Sequence, residues 1–480
     1  MIVHSFCFIQ MRRFTHYILL LAILFPVLLA SCSDEDSFTT DRNAVVTFSQ
    51  DVVSFDTVFA GISSSTEKLL VYNRNDKGVR IKNAKLLSEG TSGFKMNVDG
   101  QYGTSIDDVD VLGNDSIFIF LEVNAPQQET NAPTLFSDAI VFTLESGVQQ
   151  SVTLEAYGQN VKIFNALCIE NDCSLDNSIP YLIRDSLVVK EGATLTLDEG
   201  ATLYFHNGAN LFVHGSLSIR GTLEHPVTLR GDRLDRMFSY LPYDRLDNQW
   251  GGIYLNPSCG GCDINYADIH SGNFGIEGYA VAGDITIQNS VIHNVSGDGL
   301  CLVDCNALVA NTQISNSKGD CVSIYGGKAD FYYCTIAQFY PWSGDRGNAL
   351  FASNYIDEEE HLIEAANFYN CFVTGYANDE VYGYPGEQPL NINFYHCVLL
   401  TDTSDPTYFH DCTSESKDFE RYKDSNFKLI DTENYIYDFH LDELSTARQK
   451  GSAIYSSLYP IDRDGTLRPD MPDAGCYQSK

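Results

Sequence analysis

The stretch GATLTLDEGATLYFHNGANLFVHG, residues 192–215, repeats one pattern of eight residues three times. Each unit begins with a glycine, at Gly192, Gly200 and Gly208, and continues with alternating polar and apolar residues. Such alternation favours a short β-strand, and glycine favours the turn between two strands. Because the period is constant and no helical segment intervenes, the stretch predicts a parallel β-helix, a solenoid of short strands.

The second half of the chain repeats at a longer interval, which gives the length of one coil. Three short strands and three turns need about 22 residues. Intervals of 37 and 26 residues therefore predict insertions of about 15 and 4 residues. The apolar positions that close successive coils are Ile269, Ile292, Ile314, Ile336, Val373 and Leu399, at intervals of 23, 22, 22, 37 and 26 residues.

Cysteines recur in the stretches FYYC, FYNC and FYHC, which end at Cys334, Cys371 and Cys397, two residues before three closing positions. They should occupy one position on successive coils, about 4.8 Å apart. Stacked parallel side chains suit disulfide geometry poorly, so we expect a buried row of free thiols, in which a serine would cost about 1–3 kcal/mol. A local disulfide is expected instead in CIENDC, between Cys168 and Cys173.

The start of the chain indicates where the protein is located. Residues 11–32, MRRFTHYILLLAILFPVLLASC, have a basic start and an apolar run too short to span a bilayer comfortably. The ending LASC resembles the lipobox of bacterial lipoproteins, and the following SDEDS resembles the acidic tag of surface-exported lipoproteins in Bacteroidetes-type bacteria. The resemblance implies a signal peptide over 1–31, lipidation of Cys32, an acidic linker over 32–43 and a surface-exposed position on the outer membrane.

The charge of the chain excludes several partners. The sequence has 30 Lys and Arg against 64 Asp and Glu; residues 1–31 hold two Arg and no acid, so the mature chain has 30 − 2 = 28 against 64, a net charge of −36. Such a surface repels nucleic acid and the anionic face of a membrane, so we expect membrane contact through the lipid anchor only. An acidic polysaccharide would need a local basic patch or bridging Ca²⁺.

Residues 44–160 contain short alternating strands separated by turn clusters such as NRNDKG. This pattern, without a helical run, predicts a β-sandwich. The stretch over 52–86, VVSFDTVFAGISSSTEKLLVYNRNDKGVRIKNAKL, resembles the immunoglobulin-like modules that precede surface domains in the same bacterial group. The resemblance implies a spacer.

Further motifs resemble the right-handed parallel β-helix, or pectate-lyase-like, superfamily. They are QWGGIYL (249–255), IQNSVIHN (287–294) and the ending DAGCY (473–477), which is similar to the terminal coil of bacterial surface β-helix proteins. The resemblance covers 180–478 and implies an all-β fold, a right-handed parallel β-helix with a terminal closing coil, preceded by the small β-sandwich. It is specific for fold and not for activity, because such folds carry many functions.

Enzymes of this superfamily are polysaccharide lyases and glycoside hydrolases. The polygalacturonase-like hydrolases carry a GDDC-like turn, a Gly-His-Gly coil and an Arg-x-Lys coil; this chain has KGDC with Asp320 alone and lacks the other two motifs. The lyases need a Lys or Arg as general base on the helix face, and residues 269–399 hold only three Lys or Arg residues. The sequence therefore leans against catalysis; in an enzyme, the candidates would be Asp298 and Asp320.

An acidic residue recurs six positions after the closing residue of four coils, as Asp298, Asp320, Asp379 and Asp405. A row of acids about 5 Å apart would raise pKa values or bind Ca²⁺, with Asp298 and Asp320 as ligands. The alternative is a recurring turn that the carboxylate caps. Recurrence on nearly every coil favours the turn, so we expect no cofactor, with Ca²⁺ as the alternative.

Two insertions, 231–249 and 338–362, interrupt the coils, and the two Trp of the chain occur with them. Loops on a rigid solenoid often carry binding sites, and aromatic rings with arginine suit sugar faces and carboxylates. Trp250 has an alternative role as a core residue, since it stands at a strand start. The ligand-binding candidates are Arg233, Arg236, Tyr243, Arg245, Trp250, Trp342 and Arg346.

The sequence thus favours a surface lipoprotein whose β-helix binds a glycan or a protein partner. A polysaccharide lyase or hydrolase and a structural or adhesive stalk are the alternatives.

Overall fold

The structure, a computed structural model, describes residues 37–415 and 426–479. The signal segment and Cys32 lie outside the described residues. The chain divides into two compact units: one contains the residues up to Ser54, Ser65–Val123 and Ser137–Glu155, and the other contains Phe55–Ser64, Asn124–Phe136 and the residues from Ala156 onward. In the part of the chain that is described, no helix is long and apolar enough to cross a membrane.

The N-terminal part of the chain forms a β-sandwich of two five-stranded antiparallel sheets, ordered β1-β3-β8-β5-β6 and β2-β10-β9-β4-β7. Burial alternates along the strands, so Ile119 and Leu121 lie in the core while Phe118 and Phe120, which alternate with them, are exposed. The strands are β1 (Thr47–Phe48), β2 (Val52–Phe59), β3 (Glu67–Asn73), β4 (Val79–Leu86), β5 (Phe94–Val98), β6 (Gln101–Gly103), β7 (Ser105–Val111), β8 (Asp115–Val123), β9 (Thr134–Leu144) and β10 (Gln149–Gln159).

The following strands build the solenoid. They are β11 (Lys162–Ile169), β12 (Cys173–Leu175), β13 (Tyr181–Val189), β14 (Thr194–Asp198), β15 (Thr202–Phe205), β16 (Asn210–Val213), β17 (Ser216–Arg220), β18 (Val227–Gly231), β19 (Arg236–Phe238), β20 (Leu241–Pro242), β21 (Ile253–Leu255), β22 (Gly261–Asn265), β23 (Ala267–His270), β24 (Ile276–Tyr279), β25 (Ile285–Gln288), β26 (Val291–Val295), β27 (Leu300–Val303), β28 (Asn306–Ala310), β29 (Gln313–Ser317), β30 (Val322–Tyr325), β31 (Gly327–Tyr332), β32 (Thr335–Gln338), β33 (Leu350–Ser353), β34 (Tyr355–Ile356), β35 (Glu359–Glu360), β36 (Ile363–Tyr369), β37 (Phe372–Gly375), β38 (Val381–Tyr384), β39 (Ile392–Tyr395), β40 (Val398–Leu399), β41 (Phe409–His410) and β42 (Thr413–Ser414).

Each full coil contributes one strand to each of three parallel ladders, which we name faces A, B and C. Face A runs β12-β14-β17-β22-β25-β28-β31-β36-β39-β41. Face B runs β15-β18-β23-β26-β29-β32-β37-β40-β42, and face C runs β16-β21-β24-β27-β30-β33-β38; together with β11 and β13 they form one 18-stranded sheet. The predicted all-β fold, a parallel β-helix preceded by a small β-sandwich, is confirmed.

The coil register agrees with the predicted alignment. On face B, Ile269 pairs with Ile292, and each of the predicted closing residues pairs with the next as far as Leu399. All six side chains are fully buried in the solenoid core. The three glycines of the eight-residue repeat have φ values between 74° and 81°, a region that glycine enters without steric cost. Three eight-residue units therefore supply the three sides of one coil.

The corner between faces A and B explains the aromatic-aromatic-x-Cys stretches. The x residues Tyr333, Asn370 and His396 have φ values of 51° to 53°, and each turns the chain into the next strand. The cysteines that follow are buried free thiols, as the ladder predicts. Cys412 is a fourth free thiol at the same position, on the coil after Cys397. The sequence alignment did not include it, because no apolar closing residue stands two positions after it.

Both predicted insertions leave the solenoid between a face B strand and the face C strand that follows. The first lies between β18 and β21 and contains β19, β20 and a 3-10 helix at Tyr243–Arg245. The second begins between β32 and β33, and its remaining residues form the small hairpin β34–β35 after face C. Four coil steps, from β18 to β32, separate the two insertions.

The C-terminal segment does not add a closing coil, contrary to the expectation from DAGCY. Strands β43 (Phe427–Asp431) and β44 (Ile436–Leu441) pair only with each other in a two-stranded sheet, and a single helical turn, α1 (Ala453–Ser456), follows. The segment packs on the outer side of face B, where its residues share an apolar cluster with Ala337, Phe372 and Val398. The motif glycine, Gly475, has a φ of 98°, and an added Cβ would lie 2.6 Å from Oγ1 of Thr335. Only glycine permits this close lateral contact.

Candidate functional site

A cavity of ≈ 280 Å³ lies on the outer side of face B, between the first insertion and the C-terminal hairpin β43–β44. We call it the Arg245 cavity. Its lining residues are Arg245, Val291, His293, Asn294, Gln313, Ser315, Asn316, Tyr435, Ile436, Tyr437, Phe439 and Tyr477.

The floor of the cavity is polar because face B turns alternate residues outward. His293 and Ser315 are paired on neighbouring coils, and so are Val291 and Gln313, while Ile292 and Ile314 between them point into the core. The Gln313 amide donates to Oγ of Ser315 at 2.9 Å and accepts from the Tyr477 hydroxyl at 2.7 Å. A row of oriented hydrogen-bonding groups results.

One buried polar atom of a lining residue lacks a partner. Oδ1 of Asn316 forms no hydrogen bond with any described residue, and the amide nitrogen of Asn316 is already committed to Oδ1 of Asn294, at 3.3 Å. The hydroxyl of Tyr437 interacts with that of Tyr376. Because these atoms are buried, the cavity offers a ligand mainly its aromatic walls, the Arg245 guanidinium and His293.

The walls of the cavity are aromatic and connect both insertions. Tyr435, at the start of β44, stacks on Trp342 of the second insertion with ring centroids 3.9 Å apart. Arg245 of the first insertion donates to the carbonyl oxygen of Asn434 at 2.8 Å. The tip of the β43–β44 hairpin thus contacts both insertions, and Trp342 supports the wall through Tyr435 without lining the cavity itself.

Arg245 is the cationic residue of the cavity. It donates to two carbonyl oxygens, those of Tyr240 and Asn434, and forms no ion pair with a described residue. The guanidinium keeps donors for a further acceptor, since it has five N–H groups. Asp431 interacts with this charge at longer range, so the guanidinium has an acidic neighbour but no ion pair.

Beside the floor, a network of histidines and carboxylates extends from His293 into the first insertion. His270 is buried, and its Nδ1 and Nε2 lie 2.9 Å from Oδ1 of Asp268 and 2.9 Å from Oδ1 of Asp244. His293 stacks on His270 one coil away, with centroids 4.8 Å apart, and its Nε2 lies 3.1 Å from the same oxygen of Asp268. Arg230 forms an ion pair with Asp244.

The network favours charged groups despite its burial. Burial alone would lower the pKa of His270, but Asp268 and Asp244 outweigh it and raise that pKa to about 9. Burial alone would raise the pKa of Asp244; the hydrogen bond and charge of His270 and the charge of Arg230 hold that pKa well below its usual range. In the absence of other ligands, His270 is an imidazolium that joins two carboxylates.

The other candidates of the first insertion are engaged within it or close by. Arg233 lies over the ring of Tyr243, 3.8 Å from its centroid, and forms a bidentate pair with Asp235 at 2.6 and 2.7 Å. Arg236 forms an ion pair with Asp56 at 3.2 Å. These three candidates stabilise the insertion and do not line the Arg245 cavity.

Trp250 does not contact a ligand surface, which corrects its place among the binding candidates. Its side chain is fully buried, stacks on Phe205 with centroids 4.4 Å apart, and donates from Nε1 to the carbonyl oxygen of His270 at 2.8 Å. In the second insertion, Arg346 lies 4.8 Å from the ring centroid of Tyr376 and donates to carbonyl oxygens of its own loop.

The carboxylates of Asp298 and Asp320 cap turns. Oδ1 of Asp298 accepts from the backbone amide of Asp320 at 2.9 Å, its Oδ2 accepts from Ser323, and Oδ1 of Asp320 accepts from the amide of Asn348 at 2.7 Å. Burial raises the pKa of Asp298, and it raises that of Asp320 to about 6. The recurring-turn interpretation agrees with these contacts. Asp379 and Asp405 cap amides two residues further along their own loops.

The two cysteines of CIENDC are free thiols in the structure. Cys168 is exposed and Cys173 is half-buried. They lie on separate strands, β11 and β12, and pair with Val188 and Leu195 of the next coil. The disulfide expected between them is not formed in this structure.

The sequence interpretation missed the four residues of the His–Asp network, Asp244, Asp268, His270 and His293. A signal for two of them was present, because His270 and His293 are 23 residues apart, the same interval that aligned Ile269 with Ile292. Asp268 follows from alternation, since residues 268 and 270 share the outer side of β23. Asp244 has no such signal because it lies in an irregular insertion.

Comparisons with known proteins give little support beyond this geometry. No protein-family profile and no curated protein matches the chain. A family 123 glycoside hydrolase from Clostridium perfringens is similar over 24% of this chain and 26% of its own, with 9% identity and a TM-score of 0.17. The ASH/PapD-like domain 7 of human CEP192 is similar over 24% and 85%, with 11% identity and a TM-score of 0.17. Dex49A from Penicillium minioluteum is similar over 71% and 66%, with 10% identity and a TM-score of 0.19. Likenesses of this extent carry no argument about function.

Proposed function

We propose that the protein binds a carbohydrate in the Arg245 cavity. The observation that carries the proposal is the combination of aromatic walls with a polar floor and the guanidinium of Arg245 in one cavity. A sugar ring presents apolar C–H faces and a rim of hydroxyl groups. Aromatic rings match the faces, and amide or hydroxyl groups match the rim.

The size and charge of the cavity narrow the ligand. At ≈ 280 Å³, the volume is at the small end of the roughly 300–1,000 Å³ of small-molecule sites, which suits one or two sugar rings of a longer glycan. Arg245 forms no ion pair with a described carboxylate, although Asp431 interacts with its charge at longer range, and it lines a cavity whose floor holds His293. A sugar that carries a carboxylate, such as a uronic acid, would satisfy the guanidinium.

The test compares neutral and uronic-acid oligosaccharides for binding to the purified protein by calorimetry. We expect binding of at least one acidic oligosaccharide, weakened at least tenfold by Arg245→Ala. Arg236→Ala is the matched control, since Arg236 lies in the same insertion and pairs with Asp56 instead of lining the cavity. Equal affinity of the Arg245→Ala and Arg236→Ala variants for every ligand would refute the proposal.

Catalysis is not part of the proposal, because both acids suggested for it act as turn caps. An assay for unsaturated and reducing ends accompanies the binding test, and cleavage would favour the lyase or hydrolase alternative. A protein that binds no glycan and no surface protein would fit the stalk alternative.

The location and family rest on the sequence resemblances. We propose a lipoprotein that Cys32 anchors to the outer membrane, with the sandwich as an immunoglobulin-like spacer and the solenoid as a relative of the pectate-lyase-like superfamily. The signal layout, the LASC ending and the acidic SDEDS run support the anchor. In that position the cavity would meet extracellular glycans.

A further inference from the structure

Three side chains of the His–Asp network converge in a way that the sugar proposal does not use. One ligand atom each from Asp268, His270 and His293 lies within 4.8 Å of the other two, and no other group of three or more His, Cys, Asp or Glu in the described residues does so. Asp268 and His293 have side chains 37% and 25% exposed, whereas His270 is 6% exposed. The group therefore has a buried side and an open side.

The spacing of these atoms suits one small cation. Oδ1 of Asp268 lies 2.9 Å from Nδ1 of His270 and 3.1 Å from Nε2 of His293. Two ligands of a tetrahedral metal ion, each about 2.1 Å from it, are separated by about 3.4 Å. Both separations from Asp268 are slightly shorter than this value, and the two imidazole nitrogens lie within 4.8 Å of each other, so an ion would need limited side-chain movements.

A second carboxylate orients His270 for this role. Nε2 of His270 points at Oδ1 of Asp244, 2.9 Å away, and Arg230 forms an ion pair with the same oxygen. Histidines that bind metals usually donate their other ring N–H to a carboxylate, which fixes the tautomer and the direction of the free nitrogen. A metal ion would displace the proton that Nδ1 of the imidazolium carries toward Asp268, while Nε2–H stays donated to Asp244.

We propose that Asp268, His270 and His293 form a binding site for a first-row divalent metal ion, with Zn²⁺ as the ion that two imidazoles and one carboxylate suit well. His270 Nδ1, His293 Nε2 and one oxygen of Asp268 are the protein ligands, and Asp244 is the carboxylate that orients His270. His293 also lines the Arg245 cavity. The metal proposal therefore shares this one residue with the sugar proposal, but it does not require that a sugar binds.

His440 provides a contrast within the same chain. It also lies between two carboxylates, but Nδ1 contacts Asp438 while Nε2 lies 2.6 Å from Asp464, so its nitrogens point apart to different partners. No second histidine joins these groups, and they do not converge on one point. His440→Asn is therefore the matched control for a histidine removed from a carboxylate pair.

The test uses the full-length protein after treatment with a chelator. Zn²⁺ is titrated by calorimetry, and Co²⁺ by its visible absorption, which distinguishes nitrogen and oxygen ligands from thiolates. We expect one equivalent to bind, without a thiolate charge-transfer band, and His293→Asn to weaken binding at least tenfold while His440→Asn leaves it unchanged. Asp244→Asn should weaken binding about tenfold, as expected for a residue that orients a ligand.

Circular dichroism and thermal unfolding of each variant show whether it is folded, and Asp268→Asn replaces His293→Asn if the latter is not. Absence of binding to the unaltered protein would overturn the proposal. So would equal affinity in a folded His293→Asn or Asp268→Asn variant, or a cobalt spectrum dominated by thiolate ligands.

Discussion

The backbone amide of Cys334 donates a hydrogen bond to Sγ of Cys371, one coil further along, at 3.4 Å. Cys371 and Cys397 repeat the contact at 3.3 Å. Each thiol in turn lies 3.5 Å from the carbonyl oxygen two residues before it. One and two coils before Cys334, the equivalent places hold Thr312 and Ser290, whose hydroxyl groups make the same contacts. The position is a polar ladder that accepts a hydroxyl or a thiol.

Cys334→Ser should therefore change the free energy of unfolding by less than about 1 kcal/mol, because the hydroxyl can donate to Tyr332 O in place of the thiol. The structure corrects the sequence expectation of a larger loss in an apolar stack. Cys334→Ala should lower the free energy of unfolding by more, about 1–2 kcal/mol, because it removes the sulfur that accepts from the backbone amide of Thr312. Unfolding in denaturant measures both changes in free energy. A serine variant that is less stable than the alanine variant would contradict the polar ladder.

Thiol titration provides a separate check on the cysteines. All twelve from Cys168 to Cys476 are free in the structure. In denaturant without reductant, all twelve should react, whereas in the native protein Cys168 should react first because it is exposed. Burial raises the pKa of the Cys334 thiol, which keeps it unreactive in the native state. A count of ten reactive thiols would indicate one disulfide, as the sequence predicts between Cys168 and Cys173.

The pH dependence of stability should reveal Asp320. Burial raises its pKa from 3.8 to about 6, so between these values the folded state binds more protons than the unfolded state. The free energy of unfolding should then fall as the pH rises from about 4 to about 6 and level off above. Asp320→Asn keeps an oxygen that can accept from Asn348 and has no titration. Its stability profile should lack this component, and identical profiles would exclude the assignment.

The two tryptophans should differ in their effect on stability. Trp250→Ala should cost about 3–5 kcal/mol, because it opens a cavity in the solenoid core beside Phe205. Trp342→Ala should cost about 1–2 kcal/mol, since Trp342 is half-buried and loses mainly its stack on Tyr435. Unfolding in urea compares the two variants. A larger loss for Trp342 would mean that the second insertion is integral to the core.

The anchor prediction concerns Cys32. Cys32→Ala should abolish acylation and release the protein from membranes, because a lipid chain is the expected attachment. Fractionation and metabolic lipid labelling measure the two effects, with Cys168→Ser as the control for a cysteine that is exposed in the folded protein. Lipid label that persists in the Cys32→Ala protein would remove the lipobox interpretation.

The sequence predicted the features that obey a period. The spacing from Ile269 to Leu399 carried the fold because each coil must place an apolar residue inward at the same point. It could not predict the Arg245 cavity, whose walls come from Tyr435 and Tyr477, more than 140 residues after the floor residue His293. Nothing in a local pattern states which face a non-repeating C-terminal segment will cover. The role of Trp250 was ambiguous for a related reason, because a tryptophan at the end of an insertion fits a binding loop and a core equally well.

The hairpin tip at Asn434 and Tyr435 restricts how this solenoid can evolve in length. Solenoids commonly grow or shrink by duplication or deletion of a coil. Here Asn434 accepts a hydrogen bond from Arg245, and Tyr435 stacks on Trp342. The loops that carry Arg245 and Trp342 leave the solenoid four coil steps apart, about 19 Å along its axis. A coil gained or lost between β18 and β32 would move one loop out of reach of the hairpin, whereas coils before β18 are free of this constraint. Related proteins of different length should therefore keep the number of coils between the two insertions.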